Sequence, residues 1–576
     1  MDELFELVQS EKWSEAWELL QKADENNISR EGSFFILASE IALHMNRRDL
    51  VFEYISEGLS EDPFNYELYY MLGIYYSEEN IEKAYLCYEM AAFYAGNTED
   101  EDFLLSNFNQ FKETNCPKVN PASIVIVSYN CKDIMMNCIS SIRDTNPSSA
   151  YELVVVDNNS TDGIAEWLKE QTDIVLQCND YNAGFGLACN QGVELATKEN
   201  DIFFLNNDTI VPPNALFWLR MGLYENDKTG AVGSVTNAAA NGQRVNVNFD
   251  RLEHWLLYAN KINVPMTNYY EKKIWLVGYA LMIKRNVLDK VGLFDLQFGI
   301  GNYEDNDLGM RILQAGYELH LCRNCFIYHF GSMGFKQNDP QQHQIMMEKN
   351  RLLLKNKWGF DISYYTHARS EIIDLIKDDP EAEIHVLEIG CGAGATLAKI
   401  KYLWPNAVVK GIELDGNVVD LGKHYLDIIE GNVETIEMPY EKGYFDYIIF
   451  ADVLEHLFDP DKTLQKVIPY LKEHGCILTS IPNIMHVSVL LPLLHGNFDY
   501  QDAGILDRTH VRFFTLNSVL NMMQRNNLNT ELINGTHNEE MIISANQELY
   551  QMLVDNLGDQ FATQSKVYQY VVKARK

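Results

Sequence analysis

Four groups of residues have types and spacing that could do chemistry. Asn206, Asn207 and Asp208 close the apolar run DIFFLNNDT (201–209). Where the chain leaves a strand, Asp208 would offer a hard carboxylate oxygen of the kind that suits Mg²⁺ or Mn²⁺. The segment YEDNDLGMR (303–311) crowds Glu304, Asp305 and Asp307 together. Repulsion within such a cluster raises a carboxyl's proton affinity and makes it a better base, although acidic residues in a first helical turn also serve simply as caps. VLEIGCGAGATLAKI sets Glu388, Gly390, Gly392 and Gly394 between an apolar strand and a helix, so the chain can turn tightly and approach a ligand without a Cβ in the way. Glu413 follows at the strand end VVKGIELD, about 20 residues on, as in nucleotide sites where an acid holds a ribose diol. His456 and His510 complete the set: each can exchange a proton near neutral pH or merely brace a loop.

These groups need a scaffold, and the hydrophobic pattern supplies two. SIVIVSYN (123–130), YELVVVDNNSTDG (151–163) and DIFFLNNDT are β-branched runs ending in polar residues. They read as buried parallel strands, with ligands expected at their carboxyl ends. A second α/β region begins at IHVLEIGCGAG (384–394), after the charged, helix-like HARSEIIDLIKDDPEAE. Ahead of both, apolar and small residues recur at helical spacing with no strand pattern, and EAWELL, LVFEYI and KAYLCY place Ala16, Val51 and Ala84 at intervals of 35 (51 − 16) and 33 (84 − 51). A period of about 34 is that of tetratricopeptide helix–turn–helix units, and YELYYMLGIYYSEENIEKAYLCYEMA resembles one. Such an array can grip an extended partner; an aromatic-rich bundle that props up its neighbour is the alternative. The expected domains are 1–115, 119–360 and 365–576.

At 576 residues the chain exceeds the roughly 250–300 at which one core stops growing. A net charge of −36 argues against broad phosphate-backbone contacts, so nucleic acid is not an expected partner. No apolar run approaches the roughly 20 residues of a membrane span, and the acidic start MDELFELVQSEKW is unlike a secretory signal. A cytoplasmic location is expected. Of the ten cysteines only Cys322 and Cys325 form a C-x-x-C pair. With no second pair to complete a zinc site, they read as thiols of a strand.

The blocks SIVIVSYN, VVVDNNSTDG, NAGFGLACNQG, FFLNNDT, LVGYALMIKR and FGIGNYEDNDLGMRILQAGYEL, in that order between about 120 and 345, resemble family 2 glycosyltransferases of the GT-A fold. The resemblance implies that Ser128, Tyr129, Asn130 and Asp157 contact the nucleoside of a donor, by default a uridine diphosphate sugar, although Asp157 could also just cap its turn. It puts Asn206-Asn207-Asp208 at the family's metal-binding D-x-D position, with a single ionised side chain where the family has two, and gives His329 of YHFGSMGF as a further ligand to Mn²⁺ or Mg²⁺. It makes Asp305 the base of an inverting transfer and has Glu304 position substrate, with Trp275 and Gly278 of WLVGYALMI lining the acceptor side of the donor pocket. The run from VLEIGCGAG through GNVETI, FDYIIFADVLEHLFDP and ILTSIPNIMH to RTHVRFFT resembles class I S-adenosylmethionine-dependent methyltransferases over 365–540. By that resemblance Glu388, Gly390, Gly392 and Gly394 surround the cofactor, Glu413 takes its ribose, and Asn432 its adenine, where the family often has Asp. His456 or His510 would deprotonate a hydroxyl acceptor.

The expected architecture is therefore an all-α repeat domain, a GT-A domain and a Rossmann-like methyltransferase domain. As a whole the chain resembles bacterial enzymes that decorate flagellin or build surface polysaccharides, and the repeats favour a protein acceptor. A scaffold with one decayed transferase domain is the competing reading; the intact Asp208, Asp305 and LEIGCGAG argue against it. Residues after 540 carry no pattern that can be interpreted.

Overall fold

Asparagine caps and apolar helix faces organise the first residues. Asn65 and Asn80 precede the helices Tyr66–Tyr76 and Ile81–Tyr94, and their side chains accept from Leu68 N and Lys83 N, satisfying donors that a helix start leaves open. EAWELL, LVFEYI and KAYLCY fall on the alternate helices Trp13–Glu25, Arg48–Glu61 and Ile81–Tyr94, and Ala16, Val51 and Ala84 are all fully buried. A Cβ on Gly73 would come within 2.6 Å of the Tyr88 ring, so only glycine lets these two helices approach so closely.

The computed structural model describes residues 2–25, 32–96, 98–331, 340–537 and 540–576. It divides into two units, Met1–Lys357 and Trp358–Lys576. Among the described residues no helix is long and apolar enough to cross a membrane. In the first unit the helical residues share one hydrophobic core with the sheet that follows. Arg220 and Glu89, each 4% exposed, pair inside it.

That unit holds β1 (Ala122–Ser128), β2 (Tyr151–Asp157), β3 (Ile174–Cys178), β4 (Asp201–Asn206), β5 (Thr209–Ile210), β6 (Thr229–Val235), β7 (Tyr270–Lys273), β8 (Ala280–Ile283), β9 (Glu318–Phe326) and β10 (Tyr328–His329). Eight of them form a sheet in the order β3-β2-β1-β4-β8-β6-β9-β7, and β5 pairs with β10. The strands read from the sequence are parallel: β1 lies between β2 and β4, with Ser128 opposite Asp157 and Val127 opposite Asn206. Strand order reverses at β1, which opens the crevice where α/β sheets bind ligands. Beyond β4 the sheet is mixed, because β8 runs antiparallel to both β4 and β6. Cys322 and Cys325 are buried on β9.

The second unit contains β11 (His385–Ile389), β12 (Val408–Glu413), β13 (Ile428–Glu430), β14 (Phe445–Ala451), β15 (Leu471–Pro482), β16 (Asn529–His537) and β17 (Val567–Arg575), ordered β13-β12-β11-β14-β15-β17-β16. The first five are parallel neighbours, and β17 inserts antiparallel between β15 and β16. Order again reverses at β11, where Ile389 pairs with both Ile412 and Phe450. The glycine-rich turn, Glu413 and the turn after β14 thus leave the same edge of the sheet.

Candidate active sites

The carboxyl ends of β1 and β2 are tied together by short polar side chains. Asp157, 1% exposed, accepts from Ser160 N at 3.0 Å and Ser160 Oγ at 2.6 Å. Asn130, with φ of 57°, donates its N–H to Ser160 Oγ and accepts from Thr161 N. Asp157 therefore does cap its turn, and the same contacts bring Ser128, Tyr129 and Asn130 beside it at the crevice. Ser128 Oγ is buried without a hydrogen-bond partner.

The ribbon of β5 and β10 carries His329 back to the end of β4, pairing it with Thr209. His329 Nε2 lies 3.1 Å from Asp208 Oδ1 and 3.5 Å from Asn206 Nδ2. Its Nδ1 sits 2.9 Å from the Ala238 carbonyl. A carbonyl only accepts, so Nδ1 carries a proton and Nε2 is the ring atom turned toward Asp208. This donor set fits a divalent metal. Of the block YHFGSMGF, Ser332 to Phe335 lie outside the described residues.

The acidic motif begins the helix Glu304–Gln314. Asp305 accepts from Gly278 N and from Asn306 N, both at 2.8 Å. Glu304 is 6% exposed and its Oε2 has no hydrogen-bond partner. Burial, then the charge of Asp305, pushes the Glu304 carboxyl up to about 8. Burial also raises Asp305, against the pull of its backbone donors. Those donors favour the ionised form of Asp305, whereas Glu304 Oε2 meets no such donor. Asp307 is fully buried and pairs with Arg311 at 2.8 Å and Lys357 at 2.8 Å. It anchors the helix through these two cations.

The approach to this helix is strained: Gly299, Gly301, Asn302 and Tyr303 have φ of 66°, 154°, 73° and 77°, conformations that cost a residue with a Cβ. Two contacts hold it. Asn350, 2% exposed, donates Nδ2 to the carbonyls of Phe298, Gly301 and Asn302. The Ile300 carbonyl takes Phe185 N at 2.8 Å, where a Cβ on Gly184 would lie 2.8 Å from Gly299 O. Nearby, Asn241 Nδ2 donates to the Trp275 carbonyl, and Gln243, fully buried, accepts from Val277 N and donates to Ser234 O. Gly278 thereby lies next to Asp305, and Trp275 packs its backbone against Gly309 of the same helix. The sequence reading missed Asn350 and Gln243, since a lone amide in a helix or loop has no periodicity or motif to mark it.

In the second unit Gly390, Gly392 and Gly394 all have positive φ, of 65°, 55° and 88°. Gly392 N donates to Glu413 Oε2 at 2.8 Å, and the other oxygen of Glu413 accepts from Leu414 N and Asp415 N. Glu413 thus holds the turn, and with three of its four lone-pair sites taken it leaves room for one further donor. Glu388, 2% exposed, has an Oε2 without a partner; burial pushes it up to about 8. An orphaned buried acceptor beside a glycine cradle fits a ligand that brings a donor. Asn432 accepts from Glu434 N across its own turn.

The turn after β14 is held by Asp452, which pairs with Arg369 and accepts from Ser480 and Gln569. Val511 N and Arg512 N both donate to the Glu455 carbonyl at 3.0 Å, which brings His510 against His456: their rings lie 4.7 Å apart, edge to face. Burial lowers His456, helped by His510, and drives Glu455 well above the usual carboxylate range, followed by the charge of Asp452. Both predicted histidines thus occupy one site. Arg369, which links Asp452 to the segment ahead of β11, was not anticipated.

Residues 123–292 match the family model "Glycosyl transferase family 2" and residues 362–533 the model "Methyltransferase domain". The chain thus fuses a family 2 glycosyltransferase domain, GT-A-like, to a class I methyltransferase domain of Rossmann-like build, both with mixed sheets. It is 22% identical over 251 residues to the uncharacterized glycosyltransferase YfnE of Bacillus subtilis (strain 168), covering 36% of this chain and 64% of that one. It is 30% identical over 101 residues to a malonyl-[acyl-carrier protein] O-methyltransferase of Bacillus cytotoxicus, covering 17% and 35%. The chain therefore spans less than two thirds of either relative. Among solved structures it is similar to GalNAc-T7 with UDP, GalNAc and Mn²⁺, at 16% identity and a TM-score of 0.34, over 45% of this chain and 52% of that one.

Proposed function

We propose that the chain is a bifunctional enzyme with domains at 1–115, 119–360 and 365–576. Its middle domain transfers a sugar from a nucleotide-sugar donor, UDP-linked by default, to a hydroxyl with inversion. Its last domain passes a methyl group from S-adenosylmethionine to the resulting glycan. The acceptor is a protein of the flagellin kind or a surface glycan, and the helices of 1–115 are its tetratricopeptide-like gripping surface.

The observation that carries this reading is the division of labour between Glu304 and Asp305. Asp305, ionised and held by two backbone N–H groups, accepts the acceptor's proton as the oxygen attacks the anomeric carbon. Glu304, protonated, can donate a hydrogen bond to substrate. Ser128, Tyr129, Asn130, Asp157, Asn206 and Asn207 line the nucleoside side of the crevice, and Trp275 and Gly278 the acceptor side. Asp208 and His329 would hold Mn²⁺ or Mg²⁺, which supplies charge neutralisation for the departing diphosphate. In the second domain Glu388, Gly390, Gly392, Gly394, Glu413 and Asn432 orient the cofactor, whose sulfonium supplies the methyl group. His456 and His510 stand where an acceptor hydroxyl loses its proton.

The test is mass spectrometry of candidate acceptors, flagellin included, incubated with the purified chain, Mn²⁺, a panel of nucleotide sugars and S-adenosylmethionine. A sugar mass that grows by methylene increments on one product is the expected result. No sugar on any acceptor, with donor left intact, would sink the glycosyl-transfer half.

A further inference from the structure

The cluster at the end of β14 offers more than a base. One ligand atom from each of Glu455, His456 and His510 lies within 4.8 Å of the others. Glu455 is 1% exposed, and neither carboxylate oxygen has a hydrogen-bond partner. The nearest cationic candidate, His510 Nε2, stands 4.0 Å from Glu455 Oε1, too far for a hydrogen bond. Buried carboxyl oxygens left without a partner are costly, and Asp452 beside them is already paired with Arg369. Each histidine meanwhile presents Nδ1 to a backbone carbonyl, His510 to Ile505 at 2.9 Å and His456 to Thr509 at 3.3 Å. That pattern puts the proton on Nδ1 and frees Nε2 as a donor atom, the orientation seen where histidines ligate metals.

We infer that Glu455, His456 and His510 bind a divalent transition-metal ion, and that this ion in turn holds the hydroxyl to be methylated. Bonds of about 2.0–2.2 Å to adjacent positions of one ion set ligand atoms about 3 Å apart, so the 4.0 Å gap must close by about 1 Å and the longest separation by less than about 2 Å, movements within reach of side-chain rotation. Two imidazoles and one carboxylate form a triad that leaves positions open on an octahedral ion, and adjacent hydroxyls of a sugar can fill two of them. Bound there, the hydroxyl loses its proton to solvent. Its oxygen then attacks the methyl carbon, the carbon–sulfur bond breaks, and the electron pair stays on sulfur, giving the methyl ether and S-adenosylhomocysteine. The inference deepens the methyl-transfer reading above and rests on it for the identity of the acceptor.

The experiment is an electron-paramagnetic-resonance titration with Mn²⁺ on the full chain carrying Asp208→Asn, which weakens the other candidate metal site. One bound ion per chain is expected. Adding Glu455→Gln, His456→Gln or His510→Gln should weaken it at least 100-fold, while calorimetry shows S-adenosylmethionine still bound. If Glu455→Gln fails to fold, the half-buried His456 carries the same test. No bound ion in the Asp208→Asn chain, or unchanged affinity in the triad variants, overturns the site and leaves the histidines as plain bases. A chain that binds Mn²⁺ through the triad but no S-adenosylmethionine would instead fail the methyl-transfer reading.

Discussion

Asp305→Asn isolates the proposed base from the structure that holds it. The carboxylate accepts one N–H on each oxygen, Gly278 N and Asn306 N, both at 2.8 Å. An amide of the same shape has a single oxygen, so one of those donors would face an NH₂ group, a loss of about 1–3 kcal/mol. Against a typical stability of about 5–15 kcal/mol the unit remains folded, and kinetics can be read. Losing a positioned base costs about 10²–10⁴ in rate, or about 3–5 kcal/mol of barrier. The assay is slow hydrolysis of UDP-sugar donors with water as surrogate acceptor, paired with donor calorimetry. Turnover should fall by that factor with donor affinity unchanged. In the wild type the base works only when ionised, so activity rises with pH through the raised Asp305 range, and this limb should vanish in the variant. Turnover within a few-fold of wild type, or a surviving limb, would refute the assignment.

Glu388 is buried with its carboxyl raised from 4.5 to about 8. Between those values the folded form holds a proton that the unfolded chain has released. Stability of the second unit should therefore fall as pH rises, by up to about 1.4 kcal/mol per unit, and denaturant melts of Glu388→Gln should show a flatter dependence. Gly392→Ala combines a φ of 55° with a Cβ 2.7 Å from the Tyr365 carbonyl. A left-handed alanine alone costs about 1–2 kcal/mol, so a lower Tm and weakened S-adenosylmethionine binding are expected by scanning fluorimetry and calorimetry; an unchanged Tm would contradict the tight turn. Asn350→Ala removes the donor shared by three carbonyls of the loop before Glu304. Donor hydrolysis should drop about tenfold or more while S-adenosylmethionine binding stays the same, and equal loss of both would mean global damage.

What could be read from sequence followed from periodicity and from motifs that one local stretch contains. VVVD, FFLNND and VLEIGCGAG announce a strand and the turn that ends it, so β1, β2, β4 and β11 and their polar ends were legible. The antiparallel placement of β8 was not, because ALMI is buried on both faces and carries no mark of direction. β17 was missed for a different reason. VYQYVVKAR shows no clean alternation, with Tyr570, Val571 and Val572 buried in succession, and nothing local requires a strand to insert between β15 and β16. The helical start was legible as helix through the repetition of Ala16, Val51 and Ala84 at buried positions; the core it shares with the first sheet depends on pairings such as Arg220 with Glu89 that no spacing reveals.

The site residues divide along the same line. Asp157, Asp208, Asp305 and Glu413 sit at strand ends or in a first helical turn, where sequence alone marks them. What distinguishes their roles is the backbone they meet. Glu304 and Asp305 are adjacent carboxyls in one buried turn, and the N–H of Gly278, a residue 27 positions away, reaches only Asp305 and favours its ionised form. His510 became a partner of His456 through two N–H bonds to the Glu455 carbonyl. Acid–base assignments in both sites are thus decided by long-range main-chain contacts around locally recognisable side chains, which is why residue types could be named in advance and protonation states could not.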